Sequence, residues 1–443
     1  MNRWKWFYPG LKVKRWVALI VLGVLIFSLG MVFIIGKNLP REFYLFVTSY
    51  VRQGIIGFSL VLLGIICAIK GTKKLNKRII GLFLPEGDHR LLDMLYEDML
   101  LSKGINIVVI GGGTGLHSLL RGLKEYSSNI TAIVTVSDDG GSSGRLRDEL
   151  NILPPGDIRQ CIAALAPLES TMLEVFESRF KGEGPLHGHS VGNLLLAAMT
   201  ELKDGDFNKA VQELSKVLAV RGRVVPSTVE NVTLCAEMSD GMIIRGETNI
   251  TSCPGSVSRV FLQPSDVRAL PEAIQAIRNA DLVVIGPGSL YTSIIPNLLV
   301  RDILVALRKT AAPKIYVCNI MTQPGETDGY TASDHAARLI KLTGKNSIDY
   351  IVLNNKYPSL LLKHYESEDQ FPVKVDRENL EKLGIKKLVT SDLVREDELV
   401  RHDPKKLAAC ILEIANEAVP FAGLGTKAYE VDKLRETLMK LRI

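Results

Sequence analysis

Five short runs rich in β-branched residues, each ending at a glycine turn or a polar loop, confine most of this chain to one kind of architecture. They are Ile105–Ile110, Ile130–Val136, Asp281–Ile285, Lys314–Cys318 and Tyr350–Leu353. Helical stretches such as Ser118–Lys124 lie between them, and Lys405–Ala418 reads as a closing helix. Runs without in–out alternation are buried on both faces, and such strands belong to parallel sheets covered by helices. The expected fold is therefore α/β, a doubly wound Rossmann-like parallel sheet. In the middle, Val229–Glu237 and Met242–Thr248 flank Met238–Gly241 and predict a β-hairpin insertion with Asp240 and Gly241 in its turn.

A different object precedes this body. The chain has 54 Lys+Arg against 48 Asp+Glu, a formal charge of +6. Residues 1–78 hold 13 Lys/Arg and a single acid, Glu42, and so carry +12, which leaves −6 on the rest. Trp16–Ile35 is uncharged over 20 residues, enough for a membrane core, and Gly54–Ile69 is uncharged over 16. The expectation is two transmembrane helices forming a membrane hairpin over 1–78, with spans about 16–35 and 51–69. An amphipathic linker over 79–104 would follow, then the body over 105–443. Arg3, Lys5, Lys12, Lys14 and Arg15 before the first span, and Lys70, Lys73, Lys74, Lys77 and Arg78 after the second, put both ends in the cytoplasm. The spacing shows no GxxxG face, although Gly57 and Gly64 are seven apart and share one side. The expected location is the cytoplasmic membrane, multi-pass, with the body in the cytoplasm. The basic excess marks membrane flanks and is no argument for nucleic acid. No two of the six cysteines are close enough for a CxxC metal or redox pair.

Chemistry-bearing residues gather where the strands end. Ile107–Gly115 is a strand followed by Gly111, Gly112, Gly113, Thr114 and Gly115. Glycines there permit a sharp turn and close approach of a ligand, and the helix that follows presents free N–H groups to an anion. The spacing is neither a strict GxGxxG nor a phosphate-binding loop with Gly-Lys-Ser/Thr. A second segment, Thr135–Arg147, joins Asp138 and Asp139 to Gly140–Gly144, Ser142, Ser143, Arg145 and Arg147. The paired carboxylates suit a hard cation such as Mg²⁺, or a ribose hydroxyl, or simply a helix cap. Pro154–Arg159 contains Asp157 as a candidate cap. His187 and His189 lack a carboxylate at metal spacing, whereas Asn193 suits hydrogen bonding to a ligand. Gly286, Gly288, Ser289 and Thr292 repeat the strand, glycine turn and helix arrangement in the second half, and Asn319 and Thr322 follow another strand. No Ser-His-Asp grouping or nucleophile elbow is present.

The stretches VSDDGGSSGRLR (136–147), GPGSLYTS (286–293) and CNIMTQPGETDGY (318–330), with the glycine turn at 111–115 and the motifs at 154–159 and 188–195, closely resemble the YvcK/CofD-like family over about 105–403. They resemble the YvcK branch, the gluconeogenesis factors, more than the phospholactate transferases. The resemblance implies a doubly wound fold that binds a UDP-sugar such as UDP-N-acetylglucosamine. It implies a role in cell shape and envelope synthesis during gluconeogenic growth, with cell-wall synthesis proteins as partners and a homo-oligomeric state. It implies no established catalysis in that branch, a Mg²⁺-dependent CofD-like transferase being the alternative. It adds Tyr365 and Arg401 as ligand residues. Pro404 stands where some relatives carry a phosphorylatable Thr, and the hairpin at 1–78 is expected to be an addition to the family's soluble form.

Overall fold

The computed structural model describes residues 14–35, 53–83, 98–167, 170–358, 361, 365–396 and 399–419. They fall into two compact units, one within residues 1–97 and one within 98–443.

The first unit is a pair of helices, Lys14–Ile35 and Gln53–Phe83. Glycine is what lets them touch. A Cβ on Gly23 would lie 2.9 Å from the Gly64 oxygen, one on Gly30 would lie 2.9 Å from the Gly57 oxygen, and one on Gly71 would press on Ile20. As the number rises on one helix the contact falls on the other, so the helices run antiparallel. Gly57, Gly64 and Gly71 recur every seven residues, as do Gly23 and Gly30, which makes one heptad-spaced seam of small residues. The seven-residue spacing seen in the sequence is thus half of a two-sided packing face. The large apolar side chains, among them Leu25, Phe58 and Leu62, turn outward. Among the described residues no single helix is long and apolar enough to cross a membrane. The second helix also continues through Lys70, Lys73, Lys74, Lys77 and Arg78, so charge is carried on the helix itself rather than in a flank. The two segments expected as spans are seen here as a helix pair. Residues 1–13, the loop 36–52 and residues 84–97 of the expected linker lie outside the described residues, and residues 79–83 belong to the second helix.

In chain order the strands of the second unit are β1 Ile107–Gly111, β2 Ile130–Val134, β3 Arg223–Pro226, β4 Thr233–Met238, β5 Ile243–Arg245, β6 Val257–Gln263, β7 Leu282–Ile285, β8 Lys314–Val317, β9 Tyr350–Asn354, β10 Lys387–Ser391, β11 Val394–Glu396 and β12 Val400–His402. Seven form one parallel sheet in the order β10-β9-β8-β7-β1-β2-β3. All five predicted runs are in it. Their side chains are buried almost without exception, Ile107–Ile110 and Leu282–Ile285 among them. This is the both-faces-covered condition that the runs required. Both edge strands escaped the sequence reading. β3 is four residues long, opens on exposed Arg223 and ends in Pro226, while β10 begins with a lysine and is only half-buried. Edge strands need neither length nor a continuous apolar run.

The insertion has three strands in the order β5-β4-β6, all antiparallel. Its turn is the predicted one, with the Gly241 N–H donating to the Met238 oxygen at 3.0 Å. The third strand, β6, adds a partner that the hairpin reading lacked. The closing helix is Pro404–Ala418, started by Asp403, whose carboxylate accepts from the N–H groups of Lys405 and Lys406. It lies on helix Gly113–Leu123, where a Cβ on Gly122 would come within 2.0 Å of the Pro404 oxygen. From β1 the chain builds to one side through β2 and β3, then crosses to β7 and builds to the other. The switch point therefore lies between β1 and β7, and ligands of open α/β sheets sit beyond the carboxyl ends of the strands there.

Candidate functional site

Two glycine turns meet at that switch point. After β1, Gly112 is extended and lends no side chain to the helix Gly113–Leu123 that it starts, and the first N–H of this helix, that of Gly113, donates to the Asp157 carboxyl behind the turn. Gly113 has φ +65°, which favours glycine. After β7, Gly286 has φ +78° and its N–H donates to the Ile110 oxygen at 2.8 Å. The turns touch so closely that a Cβ on Gly115 would lie 2.8 Å from the Pro287 oxygen. Beyond them lies a cavity of about 260 Å³. Ten residues expected at the site line it: Gly112, Gly113, Thr114, Gly115, Gly288, Ser289, Asn319, Thr322, Tyr365 and Arg401.

Several of these already hold one another. Asn319 accepts from the Gly288 N–H at 3.3 Å and donates to Gln323, which donates to Ser289 at 2.7 Å. The Thr322 hydroxyl accepts from the Phe371 N–H at 2.9 Å. Tyr365 is buried in a small cluster with Ile320, Met321, Val394 and Val400, and its phenol oxygen accepts from the Val400 N–H at 2.9 Å. It therefore anchors β12, the strand that carries Arg401, as well as lining the cavity. The expectation of a second open helix start is corrected. Glu326 accepts from the Tyr291 N–H and the Thr292 hydroxyl, so this protein's own carboxylate fills that position. Burial pushes the Glu326 carboxyl up to about 7, against the pull of those donors.

Seven expected residues do not line the cavity. Gly286 forms the turn beneath it. Asp138 accepts from the Gly140 N–H at 2.9 Å and lies where a Cβ on Gly156 would meet it, next to Ser143. Asp139 faces the insertion, accepting from the Thr248 N–H at 2.9 Å and the Thr248 hydroxyl at 2.8 Å. The paired carboxylates thus do not act as a pair, and among the described residues no group of three or more His, Cys, Asp or Glu is placed to hold a metal ion. Asp138 and Asp139 have separate partners, Gly140 and Thr248. Ser142 is bound by Asn193 and His189 at 2.9 Å each, a buried network that locks helix Gly141–Leu150 to helix Val191–Leu202. Arg145 donates to the His187 oxygen and Arg147 to the Val232 oxygen, so both arginines brace loops instead of facing the cavity.

The sequence reading passed over an acidic group behind the first glycine turn. A Cβ on Gly112 would lie 2.4 Å from Asp157 Oδ2. Burial, then the Asp138 charge, raise the Asp157 carboxyl to about 7, while the Gly113 N–H and Arg159 pull the other way. Glu247, from the first turn of the insertion's helix Glu247–Ser252, is raised well above the carboxylate range by burial and by Asp157 and Asp138, and its Oε2 has no partner. Asp157 was legible as a polar residue after two prolines, yet the chain order alone could not aim it at β1. Gln323 and Glu326 stood inside a quoted motif, and nothing local distinguished their roles.

Comparison with known proteins adds a family. The model of the family described as 2-phospho-L-lactate transferase CofD matches residues 107–394. A putative gluconeogenesis factor of Nostoc sp. (strain PCC 7120) is 46% identical over 425 residues, covering 93% of each chain. The gluconeogenesis factor of Bacillus subtilis is 49% identical over 312 residues, 70% of this chain and 98% of that one. A crystal structure of a UPF0052-family protein from Bacillus halodurans matches with 48% identity and a TM-score of 0.67, over 70% of this chain and 99% of that one. A match over 93% of the chain extends beyond what residues 98–443 can supply, so the Nostoc relative shares part of the N-terminal unit. That unit is not peculiar to this chain.

Proposed function

This chain belongs to the CofD-like family, among the gluconeogenesis factors, and we propose that its cavity binds a UDP-sugar of the UDP-N-acetylglucosamine kind without consuming it. The observation that carries the reading is the convergence of ten residues, spread from Gly112 to Arg401, on one cavity at the switch point of the sheet. The start of helix Gly113–Leu123 beyond Gly113, at Thr114 and Gly115, faces the cavity with its positive end toward a diphosphate, and Arg401 supplies a planar charged fork from the other side. Asn319, Thr322 and Ser289 offer polar edges for sugar or ribose hydroxyls. The body is acidic overall, so the anion is held by these local groups and not by a general field. On this reading the protein is a ligand-sensing regulator of cell shape and envelope synthesis during gluconeogenic growth. It would act on cell-wall synthesis proteins as a homo-oligomer.

Calorimetry of the full chain with UDP-N-acetylglucosamine, with and without Mg²⁺, followed by chromatography of the nucleotide, tests this. Saturable binding with the nucleotide recovered intact is expected. Arg401→Ala is expected to weaken it at least tenfold, since a charge-assisted hydrogen bond contributes about 1.5–3 kcal/mol. Unaltered affinity in that variant would remove Arg401 from the site, and metal-dependent consumption of the nucleotide would replace the sensor by the CofD-like transferase.

The helix pair of the first unit supports a place at the cytoplasmic face of a membrane. Its glycines face inward and Leu22, Leu25, Phe58 and Leu62 outward, the reverse of a water-soluble pair. The basic residues on either side favour anionic lipid heads. The full chain is expected to float with anionic phospholipid vesicles in a density gradient, and recovery in the bottom fraction would refute membrane attachment.

A further inference from the structure

A second cavity, of about 340 Å³, adjoins the first and is built from cationic groups. Arg121 enters it from the last turn of helix Gly113–Leu123. Arg395 of β11 and Arg401 of β12 enter it from the antiparallel ribbon, where they stand directly opposite each other. His117 and His402 complete the wall with Ser118. Like charges directly opposite on paired strands repel, and a bound anion between Arg395 and Arg401 would lessen that repulsion, beside the partner that Arg395 has of its own. Neither Arg121 nor Arg401 makes an ion pair among the described residues. The Nε2 atoms of both His117 and His402 are buried without a hydrogen-bond partner. The field is positive enough to act on His117 itself. Burial first, then Arg121, Arg159, Arg401 and Lys124, lower its imidazole to about 4 and keep it neutral.

We propose that this second cavity is a binding site for the phosphoryl group of a small phosphorylated metabolite, adjoining the nucleotide-sugar cavity along a wall of Ser118, Leu399, Arg401 and His402 and set apart from it by Arg121 and Arg395. Three guanidinium forks converging on a space of this size match the oxygens of a phosphate or diphosphate. The neutral His117 imidazole can add a donor without adding charge, whereas His402 gives its one ring N–H to the Cys318 backbone and serves as wall only. Arg121 and Arg395 do not line the first cavity, and Asn319 and Thr322 do not line the second, so the two sites can be tested apart.

The probe is inorganic pyrophosphate, titrated calorimetrically into the full chain in chloride buffer without any nucleotide, so the result does not depend on the UDP-sugar reading. Saturable binding is expected in the unaltered protein. Arg121→Ala and Arg395→Ala should each weaken it at least tenfold, Arg121→Lys should recover part of the loss, and Asn319→Ala should leave it in place. Both arginines are solvent-facing enough for their removal to spare the fold, which the thermal midpoint of each variant checks. Absence of binding in the unaltered protein overturns the proposal. So does equal binding in the Arg121→Ala and Arg395→Ala variants, which means an adventitious anion only. Loss in Asn319→Ala with retention in Arg121→Ala also overturns it, because the anion then sits in the first cavity.

Discussion

Gly122→Ala is expected to lower the stability of the body by about 3 kcal/mol, the upper part of the range for forcing extra volume into a packed interior. The added Cβ would lie 2.0 Å from the Pro404 oxygen and 2.8 Å from the Ala408 Cβ. The first of these is backbone and cannot rotate away. Alanine is the better helix former by up to about 1 kcal/mol, so the usual preference within a helix acts against the expected sign and makes the result informative. The substitution should lift helix Pro404–Ala418 off helix Gly113–Leu123. Because β12 ends just before that helix, Arg401 should move as well. Urea unfolding of the full chain measures the loss, and an unchanged midpoint would show that the two helices are not held in this contact.

Asp157→Asn is expected to stabilise the protein at pH 8 by an amount on the order of 2–4 kcal/mol, with little effect at pH 4. The sign follows from the proton count. Asp157 holds its proton up to about 7 when folded, against 3.8 as the ordinary value, because burial comes first and the Asp138 charge second. Its contribution is fully present below the unfolded value and is lost as pH rises through about 7. Between the two values the folded state binds the extra proton, so stability falls with rising pH. Asparagine keeps an acceptor for the Gly113 N–H and removes the charge. Asp138 and Glu247 face the same carboxyl and Arg159 opposes them, so part of the slope belongs to these neighbours. The same charge bears on the ligand. A diphosphate at the Gly112–Gly115 turn lies beside Asp157, so UDP-sugar affinity should fall as pH rises from 6 to 8, and the asparagine variant should flatten that slope. Thermal midpoints at pH 4, 6 and 8, with calorimetry at pH 6 and 8, measure both effects. A stability profile in the variant that still falls as steeply as the original would exclude Asp157 as its source.

Much of the site was legible because strand-ending glycines are a local requirement. A turn that needs φ above zero or contact with another backbone excludes side chains wherever the fold places it, and Gly113 and Gly286 carry that signature in one dimension. Polar residues with two possible uses were not legible in this way. Asp138 and Asp139 are adjacent in sequence, yet one faces the inner acidic group and the other Thr248 of the insertion. Asn193 and Ser142 have the chemistry of ligand contacts, yet Ser142 is held by Asn193 Nδ2 and by His189, and only Asn193 Oδ1 is left without a partner. Tyr365 lines the cavity as expected, while its hydroxyl holds β12.

The sequence by itself determined the parallel sheet, the antiparallel turn at Met238–Gly241, the closing helix and the division of charge between a basic N-terminal unit and an acidic body. Each of these depends on periodicity, composition or a local backbone condition, which neighbouring residues settle among themselves. Only the tertiary structure decided which carboxylates meet, that Glu326 fills the second helix start, and that Arg395 stands opposite Arg401 beside Arg121. Those outcomes depend on strand register and on crossovers that join segments as near as Arg395 and Arg401 and as far apart as Arg121 and Arg395. Electrostatic energy varies with distance in space, and distance along the chain does not supply it.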